Sequence, residues 1–357
     1  METSLNPLEQ QKPNELTLES YGMTIPSTRH PDHNEDVIRH SMPKGFAMLL
    51  DGMGGEINGE KASKAARDSL TESLGKISNS DVEVVKKQLV EALNLASKAV
   101  GLEAQGGGTT AVVAKFLDGN KRVVIGSVGD SRAYLLRGGI LKPITEDDGI
   151  LEIQGIDLTA RKQIDERLDN LSSQADLQVL SKAEKEAFEK RQILVQSLDG
   201  SNIRPHIYHI ALQEGDKIVM TSDGVHYNLT RAEIRQIMIS TSTDQTAAAL
   251  TNRAHARSQE LHFRSKPDDI SSIVISVGPS KAADSAESST EVFPPAQNLI
   301  LKGDIVSVQR SNGSIDEGWK VIGYRQESGA AIVSKVLNGQ LFTKDVPQDQ
   351  LRALNRR

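Results

Sequence analysis

The chain has 357 residues, of which 37% are hydrophobic, 25% charged and 3% aromatic, with a net charge of −6 and no cysteine. At roughly 100–200 residues per domain this is room for about two domains, or one large domain with an appendage, built on an aliphatic core. The missing cysteine excludes disulfides, zinc–thiolate sites and every Cys-nucleophile mechanism, and the acidic balance argues against general nucleic-acid binding.

Residues 1–20 carry Glu2, Glu9, Glu15 and Glu19 against a single Lys12 and have no apolar segment, so they read as a loose acidic tail without signal-peptide marks. Apolar runs of about five residues are far too short to span a bilayer, and the expected setting is cytoplasmic. The main domain is expected over residues 21–277. Its strand candidates are Phe46–Leu50, Thr110–Phe116, Arg122–Val128, Ala133–Leu136, Lys217–Thr221 and Ser271–Val277, rich in Val, Ile and Ala and bounded by Gly, Asp or Asn. Helix candidates are Gly59–Leu74, Val82–Val100, Arg231–Ser240 and Thr243–Arg257, where aliphatic residues recur at three- and four-residue spacing. Strands and helices are both plentiful, so helices are expected to cover the sheet. Between them, residues 149–191 are dense in charge with Leu and Ile at helical spacing, which predicts a helical insertion with solvated faces. Residues 278–295, rich in Ser, Ala, Asp, Glu and Pro, suit a linker. The remainder, residues 296–357, holds nine Lys/Arg against six Asp/Glu, opposite in sign to the rest. Its short strands Ile305–Arg310, Trp319–Tyr324 and Ala330–Val336, with turns at Ser311–Gly313 and Asn338–Gly339, predict a small SH3-like β-barrel with Trp319 in its core.

The aspartates carry the chemistry. Asp51 follows FAMLL, Asp130 follows RVVIGSVG, Asp223 follows KIVMTS, and Asp268–Asp269 precede ISSIVISV. One Asp-Gly after a strand is ordinary turn chemistry. Four such positions, with Glu35–Asp36 beside them, point as readily to carboxylates gathered at one sheet edge, where only a cation relieves their repulsion. Oxygen ligands without cysteine favour Mg²⁺ or Mn²⁺ over Zn²⁺. Other eye-catching features read as structure: Gly54–Lys61 misses a phosphate loop because Glu60 follows Gly59, Gly106–Gly108 reads as a turn, and His206 and His209 lie on opposite strand faces.

In order along Asn34 to Val277, the segments NED (Asn34–Asp36), DGMGG (Asp51–Gly55), GGTTA (Gly107–Ala111), VGDSRAYL (Val128–Leu135), TSDGV (Thr221–Val225) and DDI (Asp268–Ile270) resemble the metal-dependent PP2C-type (PPM) serine/threonine protein phosphatases, with DGMGG and VGDSR similar to the bacterial branch. The resemblance implies an α+β fold, a β-sandwich of two antiparallel sheets flanked by helices, with a binuclear Mn²⁺/Mg²⁺ centre at one end. It implies that Asp51 bridges two metals, that the Gly52 carbonyl and Asp36 bind metal, that Asp223 and Asp268 hold the other ion, that Glu35 holds a metal-bound water, and that Asp130 serves a third ion. A metal-activated bridging water would then attack phosphorus in line, with no phosphoenzyme.

Three departures stand out. Pro31 occupies the position of the family's phosphate-clamping arginine, which leaves Arg29, or less readily His30 or His33, to take that role; ITEDDG (Ile144–Gly149) lacks the family's histidine; and Asp269 stands where asparagine is common. The expected function is a protein serine/threonine phosphatase acting on phosphorylated proteins, opposite a Ser/Thr kinase, without nucleic acid or membrane, and with a C-terminal domain that binds a protein partner. The alternative is a PP2C-fold pseudophosphatase acting as a phosphoprotein-binding adaptor; a third reading is a two-metal hydrolase of small phosphoesters.

Overall fold

The computed structural model describes residues 15–54, 57–149, 151, 155–280, 305–309, 315–324, 331–337, 340–346 and 350–353. In chain order the first part runs β1 (Leu16–Ile25), β2 (Val37–Ser41), β3 (Phe46–Leu50), β4 (Gly52–Met53), α1 (Ile57–Lys76), α2 (Val82–Glu103), β5 (Gly108–Thr109), β6 (Ala111–Leu117), β7 (Arg122–Val128), β8 (Arg132–Arg137) and β9 (Ile140–Pro143). Three insertion helices follow, α3 (Leu158–Asp169), α4 (Gln174–Gln178) and α5 (Lys182–Glu189). Then come β10 (His206–Ala211), β11 (Lys217–Thr221), α6 (Asp223–His226), α7 (Arg231–Ser240), α8 (Thr243–Ser258) and β12 (Ile270–Ser280).

Two five-stranded sheets result, in the orders β1-β12-β11-β8-β9 and β10-β7-β6-β3-β2, and every pairing is antiparallel. The fully apolar run FAMLL shows why they stack. Successive side chains of a strand point to opposite faces, and in β3 both faces are covered. Phe46, Met48 and Leu50 join Leu70 and Leu74 of α1 and Leu89 and Leu93 of α2 in one core. Ala47 and Leu49 join Ile218, Met220, Ile273 and Ile275 of the opposite sheet in another. A third core seats Ile234, Ile237, Leu250 and Ala254 of α7 and α8 on Tyr134, Val219 and Val274. The order of layers is therefore helix, sheet, sheet, helix, the α+β sandwich that the sequence predicts. Helix α2 starts where Asp81 accepts hydrogen bonds from the N–H groups of Glu83 (2.8 Å) and Val84 (3.1 Å), and each fully buried leucine on its inner face stabilises the fold by about 1.5–3 kcal/mol.

The structure corrects the expected tail. Residues 16–20 are not loose but open β1, whose register runs Leu18↔Val277 to Ile25↔Ile270 along β12. The alternation Leu16, Leu18 in LTLES is that of a strand with one face on the core, and Glu19 sits on its other face. Strand β12 likewise runs on past Val277, to Ser280. The rest of the expected linker, from residue 281, lies outside the described residues, as do residues 1–14 of the tail. Beyond it, β13 (Ile305–Gln309), β14 (Ile315–Tyr324), β15 (Ala331–Leu337), β16 (Gln340–Val346) and β17 (Leu351–Ala353) form an antiparallel sheet ordered β16-β15-β14-β13-β17. It has two strands more than predicted, and Trp319 is buried in it.

Candidate metal centre

Topology alone brings the acidic segments to one end of the sandwich. In one sheet β3 and β7 both run antiparallel to β6, so Asp51 and Asp130 leave the same edge, and Val37↔Leu50 places Asp36 at that edge too. In the other sheet Thr221 pairs with both Ser272 and Arg132, so Asp223 after β11, Asp268 before β12 and Asp130 before β8 share an edge. Asp130 lies on the connection from β7 to β8 and so joins the two edges. The register thus brings the segments that carry Asp36, Asp51, Asp130, Asp223 and Asp268 to one end of the sandwich.

Their surroundings demand positive charge. Asp36 and Asp223 are buried; both carboxyl oxygens of Asp36, Oδ1 of Asp223 and Oε1 of Glu35 are shielded from solvent and meet no hydrogen-bond partner. Burial, and then the charge of Asp269, pushes the Asp36 carboxyl well above the usual carboxylate range. Burial, followed by the charges of Asp36, Asp223, Asp268 and Asp130, does the same to Asp51. Asp130 is pushed up to about 8 by burial and by Asp223 and Asp147. Asp223 is raised by burial but relieved by Lys266. Glu35 is raised by burial and then by Asp269. Oxygen donors that are buried, unpartnered and mutually repelling fit a hard divalent cation. As they stand, however, no three His, Asp or Glu side chains among the described residues are already gathered into a metal-ready cluster. A lysine lies among them instead: Lys266 Nζ contacts Asp223 Oδ2 and stands 2.9 Å from Asp268 Oδ2.

The backbone is shaped for close approach. A Cβ on Gly52 would fall 2.4 Å from the Gly59 carbonyl oxygen and 2.6 Å from that of Glu35, and one on Gly224 would fall 2.0 Å from that of Asp269. Only glycine fits either position. Asp269, which stands where asparagine is common, is engaged by the backbone. Its two oxygens accept hydrogen bonds from the N–H groups of Ser27 and Glu35, both at 2.7 Å, which pins the β1–β2 loop and positions Glu35. On that loop Arg29 and Pro31 are exposed.

Several supporting residues escaped the sequence reading because their partners are distant in the chain. Asp148 Oδ2 accepts from Gly129 N–H at 2.8 Å while Oδ1 meets His206 Nε2 at 2.8 Å, so a histidine stands beside the ITEDDG run in space though not in sequence. The Tyr227 hydroxyl lies 3.0 Å from Asp130 Oδ2 and 2.7 Å from the Arg191 carbonyl oxygen, linking Asp130 to the end of the insertion. The insertion forms the predicted helices, with its own small core of Leu171, Leu180 and Phe188. It is anchored through Asp169, which accepts from Arg132 at 2.7 Å and Arg231 at 2.5 Å; Arg132 also forks onto Asp147. Breaking such a buried ionic network on one side typically costs about 3–5 kcal/mol, so the insertion is held firmly two residues from Asp130. A cleft of 480 Å³ lined by Lys162, Asp165, Arg231 and Arg235 lies between it and the β9 edge.

The model of the family described as "Protein phosphatase 2C" matches residues 28–263. The serine/threonine phosphatase stp of Listeria innocua is 26% identical over 225 residues, covering 59% of this chain and 79% of that protein. Protein phosphatase PhpP of Streptococcus pneumoniae is 25% identical over 217 residues, covering 58% and 79%. Among solved structures, the Mycobacterium tuberculosis serine/threonine phosphatase PstP/Ppp superposes with a TM-score of 0.57 at 21% identity, covering 73% of this chain and 99% of that one. A catalytic domain of PstP in complex with two manganese ions gives a TM-score of 0.57 at 22% identity, over 74% of this chain and 99% of that one.

Proposed function

Because this chain belongs to the protein phosphatase 2C family, we propose that it is a metal-dependent enzyme that releases phosphate from phosphoserine and phosphothreonine side chains of proteins. The observation that carries this reading is the set of buried, unpartnered carboxylates drawn to one end of both sheets. Asp51, Asp36 and the Gly52 carbonyl on one side, and Asp223 and Asp268 on the other, are the residues that would hold two Mn²⁺ or Mg²⁺ ions, and Asp130 would serve a third. When bound, the ions acidify a water so that it is a nucleophile near neutral pH, and they offset the charge on the phosphoryl oxygens. The chain's own residues supply the positioning. Asp269 fixes Glu35, whose shielded Oε1 is left free to orient a water. Asp148 fixes the turn that presents Asp130. Phosphate release from a phosphothreonine peptide is expected with Mn²⁺ and not with EDTA; no release with Mn²⁺ would overturn the reading.

Arg29 is the side chain we assign to the substrate phosphate in place of the arginine that Pro31 displaces. Losing one charge-assisted contact of this kind costs about 1.5–3 kcal/mol. Arg29→Ala is therefore expected to raise KM for the phosphopeptide by roughly tenfold or more while kcat changes little, and steady-state kinetics that leave KM unmoved rule Arg29 out. A kinase that this enzyme opposes, a cytoplasmic setting and an SH3-like, partner-binding C-terminal barrel are further proposals resting on the sequence, the last on a charge opposite to that of the rest of the chain. Among the described residues, no helix is long and apolar enough to cross a membrane. Pull-downs with and without residues 296–357 test the partner role; equal capture counts against it.

A further inference from the structure

We infer that Lys266 is a built-in counter-ion that holds the Asp223–Asp268 pair in the absence of metal and competes with the divalent cation for it. The inference rests on the metal reading above. Lys266 is not a loose surface lysine. Its backbone is clamped on both sides by the buried Asn228, whose Oδ1 accepts from Lys266 N–H at 2.9 Å and whose Nδ2 donates to the Lys266 carbonyl at 2.8 Å. The same Nδ2 donates to the Gly224 carbonyl at 2.8 Å, so Lys266 is fixed to the turn that carries Asp223. The ammonium contacts Asp223 Oδ2, lies 2.9 Å from Asp268 Oδ2 and sits 4.8 Å from the centre of the Tyr227 ring, whose hydroxyl is 3.0 Å from Asp130. It therefore pairs with two of the carboxylates proposed to hold metal and lies against the tyrosine that contacts a third.

One ammonium against two carboxylates leaves negative charge over, and Asp223 Oδ1 still has no partner, so the pair remains receptive to a divalent ion. Like charges repel at this range, so the incoming ion must expel the ammonium before it can use both carboxylates. The lysine thus keeps the acidic centre folded when metal is scarce and sets the free-metal concentration at which the site fills.

Two measurements test this on the full chain. By calorimetry, Lys266→Met and Lys266→Gln are expected to tighten one Mn²⁺ site by tenfold or more, whereas Lys266→Arg stays within about threefold of the parent. In the unaltered protein, acetylation of Lys266 by an amine-reactive ester, read by peptide mass spectrometry, is expected to be slow in EDTA and several-fold faster with Mn²⁺. Mn²⁺ that binds with the same affinity in all four proteins and leaves Lys266 acetylation unchanged overturns this inference alone. Failure of the unaltered protein to bind Mn²⁺ at all overturns it together with the metal reading.

Discussion

Asp51→Asn is expected to lower Mn²⁺-dependent phosphate release by roughly a thousandfold or more, the scale on which active sites lose rate when a central charged group is removed. The change is nearly isosteric, and Asp51 stays anchored through its backbone, with its N–H donating to Thr110 Oγ1 at 3.1 Å and its carbonyl accepting from Thr110 N–H at 2.8 Å. The loss should therefore come from charge and not from geometry. Stability should move the other way. Because burial and four neighbouring carboxylates oppose ionisation of Asp51, the amide removes a repulsive charge at neutral pH, and the metal-free variant is expected to melt above the parent. A variant that is both inactive and less stable in EDTA would show that Asp51 serves the fold and not the metal.

The metal-free protein is expected to lose stability as the pH rises from about 5.5 to 7.5. Asp130 keeps its proton to about 8 in the folded chain, whereas an unfolded aspartate gives it up near 4. Between those values folding takes up a proton, so stability falls as pH rises. Asp36, Asp51 and Asp223 are raised too and act with the same sign. Asp169 and Glu233, held below the usual range by arginines that outweigh their burial, act with the opposite sign, but below about pH 5; His226, and to a smaller degree His40, His209 and His262, lowered chiefly by burial, also oppose the trend up to about pH 6.5, so the fall is steepest above that value. One proton over two pH units is worth about 2.7 kcal/mol, or about 5–10 °C in Tm for a domain of this size. Mn²⁺ at pH 7.5 should restore the loss, since it binds only the folded arrangement. Melting curves in EDTA that are flat or rise across this window would sink the account.

How much of this was legible beforehand follows from distance along the chain. Asp51, Asp130, Asp223 and Asp268 announce themselves because each abuts an apolar strand, and a strand end is visible within a handful of residues. Helices α1, α2, α7 and α8 are visible for the same reason, their spacing being local. The positioning role of Asp269 is not legible in the sequence because its partners, the N–H groups of Ser27 and Glu35, lie 242 and 234 residues away. Lys266 and Asp148 escaped because a charged residue in a polar loop looks solvated until the fold shows what faces it. β1 escaped because Glu19 and the glutamates before it make the two-residue alternation of Leu16 and Leu18 look like part of an acidic tail.

The pairing of β1 with β12 has a consequence for biosynthesis. The first strand of the domain hydrogen-bonds along the last one, and β12 also lies between β1 and β11. While the chain emerges from the ribosome, β1 therefore waits with an unsatisfied edge through some 240 residues of synthesis, a long loop to close and a slow one. Asp36 and Asp51 exist early, yet the strand end that brings them Asp268 arrives last. Hydrolytic capacity thus cannot appear gradually on a growing chain. It arises only after β12 slots between its neighbours, which protects the cell from unfinished enzyme and leaves the exposed edge of β1 to be guarded until then.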